Sequence, residues 1–210
     1  MVKAMRIEAI EVGAFQVNCY LVGADDAAEA VVIDPGSDGD RIDGRLRRLG
    51  RRLAAIFLTH GHADHVGAAA ELAARYDAPV HIHPADAAWA FTEVNQLPPW
   101  YPAPTAPPSP LRLWGDDERL QVAGLEWTVL HTPGHTPGGV CLWVRDHDTL
   151  FSGDTLFHAG VGRTDLPGGD PNLLTNSLRR LLELPDLTSV HPGHGPPTTL
   201  ARERRINPFL

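Results

Sequence analysis

The sequence predicts an α/β protein in which two β-sheets pack face to face with helices outside. Three observations predict it. Short apolar, β-branched runs occur in two sets, one in each half of the chain. Each set is followed by segments with helical spacing. The run Thr59-His60-Gly61-His62-Ala63-Asp64-His65 falls between an apolar strand pattern and an Ala-rich helical one, so a dense cluster of polar ligands sits at a strand end. A chain of 210 residues can bury this core as one domain, expected to span 1–210.

The first half reads as three strands, Arg6 to Val12, Gln16 to Gly23 and Ala30 to Ile33, the last ending at the turn Asp34-Pro35-Gly36. A helix over Asp38 to Leu49 follows, with Gly50 as its cap. Then come the strand Leu53 to Leu58, the histidine cluster, and a helix from Val66 to Tyr76. A buried strand over Pro79 to His83 and a helix over Pro84 to Thr92 close the half. The segment 97–113 carries seven prolines around Trp100 and Tyr101, which excludes a helix or central strand. It reads as a stiff loop near the active site, its aromatics placed to overhang a pocket and touch substrate. Strands are expected at Arg119 to Val122, Leu125 to Leu130, Gly139 to Val144 and Thr149 to Ser152. A helix over Pro171 to Leu182, a strand over Thr188 to His191 and a helix over Thr198 to Ile206 complete the chain.

Composition narrows the function classes. The formal charge of −8 argues against a nucleic-acid partner, which needs a basic face. The short Arg-rich stretches, 45–52 and 202–205, read as solvated helix faces. No run approaches the ~20 apolar residues of a membrane span. Met1 to Ile10 has no basic stretch followed by an apolar one, so a cytoplasmic protein without membrane attachment is expected. Cys19 and Cys141 lie in apolar strand-like runs and read as small buried hydrophobes, not a required disulfide.

The chemistry starts from the cluster. Three imidazoles and a carboxylate within six residues supply nitrogen and oxygen donors suited to zinc, iron or manganese. Buried imidazoles packed so closely need a compensating partner. His135 in a Pro/Gly-punctuated turn, Asp154 at the end of Phe151-Ser152-Gly153-Asp154, and His194 in Pro192-Gly193-His194-Gly195 each lie at a strand end beside glycine. Glycine allows the backbone to approach a ligand closely. His81 and His83 mimic ligand spacing but share one strand face without a carboxylate motif, and read as non-ligands.

Asp34-Pro35-Gly36, the His60 cluster, Pro133-Gly134-His135, Ser152-Gly153-Asp154 and Pro192-Gly193-His194-Gly195 occur in this order over nearly the whole chain. So arranged, the sequence resembles the metallo-β-lactamase fold superfamily, a four-layer αββα sandwich of two mixed β-sheets flanked by helices. The run Gly162 to Asp170 and the ending Arg205 to Leu210 make it similar to short glyoxalase II-type enzymes, the hydroxyacylglutathione hydrolase-like group. The resemblance implies two divalent metal ions, zinc first, with iron or manganese as alternatives. His60, His62 and His135 would hold one, Asp64, His65 and His194 the other, with Asp154 as the bridge. Asp154 and Asp64 are the implied catalytic carboxylates, Asp64 also orienting the nucleophile. Asp34 is expected to order the ligating histidines and fix its own turn. Arg163 pairs with Asp165 or meets an anionic substrate, and His158 is a candidate pocket residue.

The implied activity is hydrolysis of acyl-glutathione-type thioesters, S-lactoylglutathione-like, by a metal-bridging hydroxide. A thiolate leaving group, with a free thiol near ~8.5, needs little help from an acid. The partner is thus a small-molecule thioester, a glutathione conjugate in the leading reading. True metallo-β-lactamases commonly have cysteine at the position of Asp154, which argues against antibiotic hydrolysis. Full-length glyoxalase II adds a basic helical domain absent from this sequence, so glutathione contacts are expected elsewhere, with Arg202, Arg204, Arg205 and the Pro-rich loop as candidates. The alternatives are a persulfide dioxygenase with one iron, a lactonase or phosphodiesterase of the same fold, and a metal-binding scaffold. The dioxygenases usually read Pro-Ala-His-Asp where this chain has Pro192-Gly193-His194-Gly195.

Overall fold

The computed structural model describes residues 3–96 and 100–210. In chain order the elements are β1 (Met5–Val12), β2 (Val17–Ala24), β3 (Glu29–Ile33), α1 (Gly39–Arg48), β4 (Arg52–Phe57), α2 (Ala63–Val66), α3 (Ala69–Tyr76), β5 (Val80–Ile82), α4 (Pro84–Ala87) and β6 (Arg112–Leu113). The second half runs β7 (Arg119–Val122), β8 (Leu125–His131), β9 (Val140–Val144), β10 (Thr149–Gly153), β11 (Leu156–Phe157), β12 (Gly160–Val161), α5 (Pro171–Leu181), β13 (Ser189–Pro192), β14 (Thr198–Thr199) and α6 (Leu200–Ile206).

Two six-stranded sheets form, ordered β1-β2-β3-β4-β5-β6 and β14-β13-β10-β9-β8-β7. Both are mixed. In the first, β1 to β3 pair antiparallel and β3 to β6 parallel. In the second, only β10 and β13 pair parallel. Strands with both faces covered read as continuous apolar runs, and β9 is buried at every position. Its residues alternate between layers. Val140, Leu142 and Val144 pack with Tyr20, Val22, Phe57 and Trp127 between the sheets. Cys141 and Trp143 face Leu174, Leu178 and Leu200 of α5 and α6. On the other side Ile42, Leu46 and Leu72 of α1 and α3 cover Cys19, Leu21 and Ile56. This is the expected αββα order. Both cysteines are buried and free.

Differences from the expected elements have local causes. The helix expected from Val66 starts earlier, at Ala63, and breaks after Val66. There Gly67 lies against the Gly36 carbonyl, and Ala68 N–H donates to the Pro35 carbonyl at 2.9 Å. Asp64 and His65 therefore stand on a helical turn, not in a loop. The helix expected over Pro84 to Thr92 stops at Ala87 and gives way to turns, with Asn95 Nδ2 donating back to the Ala90 carbonyl at 2.6 Å. Within the Pro-rich segment, Leu97, Pro98 and Pro99 lie outside the described residues, while Arg112 and Leu113 form an edge strand that contains no proline. The β11–β12 hairpin was not foreseen, since two-residue strands carry no periodicity. Among the described residues no helix is long and apolar enough to cross a membrane.

Phe57 fixes the spacing of the sheets. It is fully buried, with Trp114 and Trp127 edge-on at 5.0 and 5.3 Å. Phe57→Ala should lower unfolding free energy by about 3–5 kcal/mol, seen as a lower urea midpoint at unchanged m-value. A smaller loss than ~1 kcal/mol would show that the sheets do not depend on it.

Candidate metal centre

Five turns meet at one end of the two sheets, each leaving the C-terminal end of a strand. This is where side chains can converge without breaking ladder hydrogen bonds. β3 delivers Asp34, β4 the His60–His65 turn, β8 His135, β10 Asp154 and β13 His194. The imidazoles and carboxylates form two groups. His62 Nδ1 lies 2.9 Å from His135 Nε2, with His60 beside them. His65 Nε2 lies 3.2 Å from His194 Nε2 and 3.8 Å from Asp64 Oδ2. Asp154 stands between: Oδ1 is 3.5 Å from His65 Nε2, and Oδ2 is 3.6 Å from both His135 Nε2 and His194 Nε2.

Hydrogen bonds aim these rings. His135 Nδ1 donates to the Arg163 carbonyl at 2.7 Å, and His194 Nδ1 to the Phe15 carbonyl at 3.1 Å, so each Nε2 is left with a free lone pair. Thr59 Oγ1 donates to Asp34 Oδ2 and accepts from His60 Nδ1. Asp34 also accepts from Thr59 N–H at 2.8 Å and from His65 Nδ1 at 3.0 Å. Its oxygens are therefore spent on positioning, which accounts for its closeness to His60 and His65 without making it a third donor set.

The donors fit a metal. His60 Nε2 and Asp154 Oδ1 are buried without any hydrogen-bond partner, a costly state for polar atoms unless a ligand completes them. Donors around a four-coordinate ion with ~2.0–2.1 Å bonds sit roughly 3.3 Å apart, close to the spacings found. Charge agrees. Burial, followed by the neighbouring imidazoles, holds His60 well below its ordinary value, and burial with His135 brings His62 to about 3. Both are neutral, the form that binds metal. Burial alone would lower His65, but Asp154, Asp64 and Asp34 overcome it and raise it to about 10. Burial would raise Asp64, yet His65 and His194 hold its carboxyl well below the usual range. The centre thus has a surplus of negative charge around His65 that a cation would balance.

The sequence reading missed the residues that grip this centre. Asp86, fully buried on α4, accepts from Gly61 N–H at 2.8 Å, Thr136 Oγ1 at 2.7 Å and Gly138 N–H at 2.6 Å. It ties the His60–His62 turn to the turn carrying His135. Burial pushes its carboxyl up, against the pull of those three donors. Asn95 Nδ2 donates to the Gly61 carbonyl at 2.7 Å. Asn18 and Tyr20 of β2 hold the His194 turn through the Pro192 carbonyl at 3.0 and 2.7 Å. A Cβ on Gly193 would stand 2.3 Å from Asp154 Oδ1, so only glycine passes there.

A cavity of about 680 Å³ opens over the centre, walled by Phe15, Phe157, Val161 and Leu166, with Arg163 at its edge. Arg163 is engaged by Asp165 through two hydrogen bonds of 2.6 and 2.7 Å. Three expected pocket residues lie elsewhere. Trp100 and Tyr101 pack on Phe15 with ring centroids 5.9 and 5.4 Å away and line a neighbouring groove, so they reach the cavity only through Phe15. His158 lies outside the cavity lining, in the turn of the β11–β12 hairpin, while Phe157 before it lines the cavity. His81 packs on Phe57 and Trp114, and His83 stacks on His131, away from the centre.

Asp86→Ala would orphan two buried N–H groups. It should cost about 3 kcal/mol or more in urea unfolding; a loss below ~1 kcal/mol would mean that the two turns hold without it.

Comparison with known proteins agrees with this geometry. Residues 12–194 match the model of the metallo-beta-lactamase superfamily. The chain is 38% identical over 209 residues to the hydroxyacylglutathione hydrolase GloC of Haemophilus influenzae, covering 98% of each chain. Among solved structures it is similar to TTHA1623 in a di-iron-bound form (44% identity, TM-score 0.86, 97% of this chain and 100% of that one). It is likewise similar to the BLEG-1 B3 metallo-beta-lactamase (38% identity, TM-score 0.90, 98% and 99%). The chain belongs to the metallo-beta-lactamase superfamily and is a metal-dependent hydrolase of that family.

Proposed function

We propose that this protein hydrolyses acyl-glutathione-type thioesters at a centre of two divalent metal ions. The observation that carries this reading is the position of Asp154 between the two donor groups, with Oδ1 3.5 Å from His65 and Oδ2 3.6 Å from both His135 and His194. His60, His62 and His135 would hold one ion, and Asp64, His65 and His194 the other, with Asp154 shared. Two cations so held would supply Lewis acidity, lowering the pKa of a water toward neutrality and stabilising negative charge on a carbonyl oxygen. The donor set, imidazole and carboxylate without sulfur, accepts zinc, iron or manganese.

The chain's own residues do the rest. Phe15, Phe157, Val161 and Leu166 exclude water around the acyl group and strengthen the electrostatics beneath it. Asp64, held ionised by His65 and His194, can accept a hydrogen bond from the attacking water and orient it. A thiolate departs without a protein acid, which suits a cavity whose described histidines and carboxylates are the proposed metal donors. The similarity to GloC of H. influenzae supports the thioester class. The run Pro192-Gly193-His194-Gly195, where the dioxygenases usually read Pro-Ala-His-Asp, favours hydrolysis over the single-iron dioxygenase chemistry.

Purified protein should carry two metal equivalents by elemental analysis and turn over S-lactoylglutathione. Chelation should abolish turnover and metal return should restore it. Asp154→Ala should lower bound metal and cut kcat/KM on the order of 100-fold or more. One iron per chain, with oxygen uptake on glutathione persulfide and no thioester turnover, would overturn the reading.

A further inference from the structure

A second concavity adjoins the first. Phe157 faces the metal cavity and the next residue, His158, lines a groove of about 630 Å³. His194 lies in the cavity and Pro196, two residues on, lies in the groove. Consecutive Cα atoms are ~3.8 Å apart, so only the thickness of one strand and one turn separates the two spaces. The groove is also lined by Thr199, Arg202 and Arg205, and among the described residues by no acidic side chain. Arg202 and Arg205 stand three apart on α6 and thus share a face. Arg204 between them points away to Asp186 at 2.8 Å. Among the described residues neither groove arginine pairs with a carboxylate, in a chain with 26 acidic and 18 basic side chains. Glu203, in the middle of this run, is fully buried and accepts from Ala159 N–H at 2.8 Å and from Thr198 Oγ1 at 2.6 Å. It locks α6 against the β11–β12 hairpin, so the groove has a fixed wall. Among the described residues the metal cavity offers one Lys or Arg cation, Arg163, already engaged by Asp165.

We infer that this groove is a subsite for the anionic tail of the thiol half of the substrate, with Arg202 and Arg205 meeting its carboxylates or phosphates and His158 beside them. The inference rests on the thioester reading. The acyl group would occupy the apolar cavity, and the thiol carrier would cross the Phe157 hairpin. An extended tripeptide thiol spans about 10 Å, more than twice the step between the consecutive residues Phe157 and His158 that line the two spaces. Charge-assisted contacts from the two guanidinium groups then discriminate charged carriers from neutral ones.

The test uses unreactive thioethers titrated calorimetrically into the metal-loaded protein: S-methylglutathione, S-methyl-coenzyme A and the neutral S-methyl-N-acetylcysteamine. The native protein should bind at least one anionic thioether, and which one identifies the carrier. Arg202→Ala/Arg205→Ala should weaken that binding roughly ten-fold or more, leave the neutral thioether unaffected, and flatten the salt dependence. The Arg→Lys pair should recover part of the loss. Equal weakening of neutral and charged thioethers, undiminished binding by the double variant, or no binding of either anionic thioether by the native protein would overturn the inference. Hydrolysis assays run in parallel separate the two claims. Thioester turnover with no loss of affinity in the variant defeats the subsite alone, whereas absence of any thioester turnover defeats the functional reading.

Discussion

Everything at the active end of this molecule depends on placing charge where two apolar sheets leave almost no water to solvate it. Asp34 is buried, and Asp64 and Asp154 are largely so, beside five imidazoles. Uncompensated carboxylates in such a place would be prohibitively costly. Two devices meet the cost. Asp34 is saturated by Thr59 and His65 and so becomes part of the scaffold. Asp154 is left under-satisfied, its Oδ1 without a hydrogen-bond partner and its Oδ2 turned toward His135 and His194, whose Nδ1 protons go to the carbonyls of Arg163 and Phe15. Surplus acceptor capacity at that point is what allows the centre to take up cations.

The surrounding structure keeps that arrangement from relaxing. A flexible cluster would let its carboxylates swing into solvent. Here Asp86 and Asn95 clamp the His60–His62 turn by its N–H and its carbonyl, and β2 holds the His194 turn from the opposite sheet. Glu203 and Asn207 do the same for the hairpin that walls the cavity, Asn207 Nδ2 donating to the Gly160 carbonyl at 3.0 Å. The terminal Asn207-Pro208-Phe209 run therefore has a visible task in supporting the pocket wall.

Much of this was legible in the sequence, because strands buried on both faces leave long apolar runs and because His and Asp beside glycine mark the ends of those runs. The same local signals say nothing about partners far along the chain. Asp86 looks like an ordinary residue in the first turn of a helix, and only the approach of Gly61 and Gly138, 25 and 52 residues away, makes it a clamp. The break after Val66 likewise forms where the Pro35–Gly36 turn packs on Gly67 and accepts the Ala68 N–H. Trp100 and Tyr101 illustrate the opposite error: a proline-rich segment with aromatics suggests a lid, yet Phe15, in a turn without any motif, takes the place over the cavity.

The grip of β2 on the His194 turn also bears on how the molecule assembles. Asn18 and Pro192 are 174 residues apart in a chain of 210. Contacts of such high order form late, after their loop-closure entropy has been offset by other structure. A chain emerging from synthesis thus presents the His60–His65 turn long before Asp154 and His194 exist to complete it. Metal capture should accordingly be a closing event of folding, and loss of metal an early sign that the two halves have begun to part.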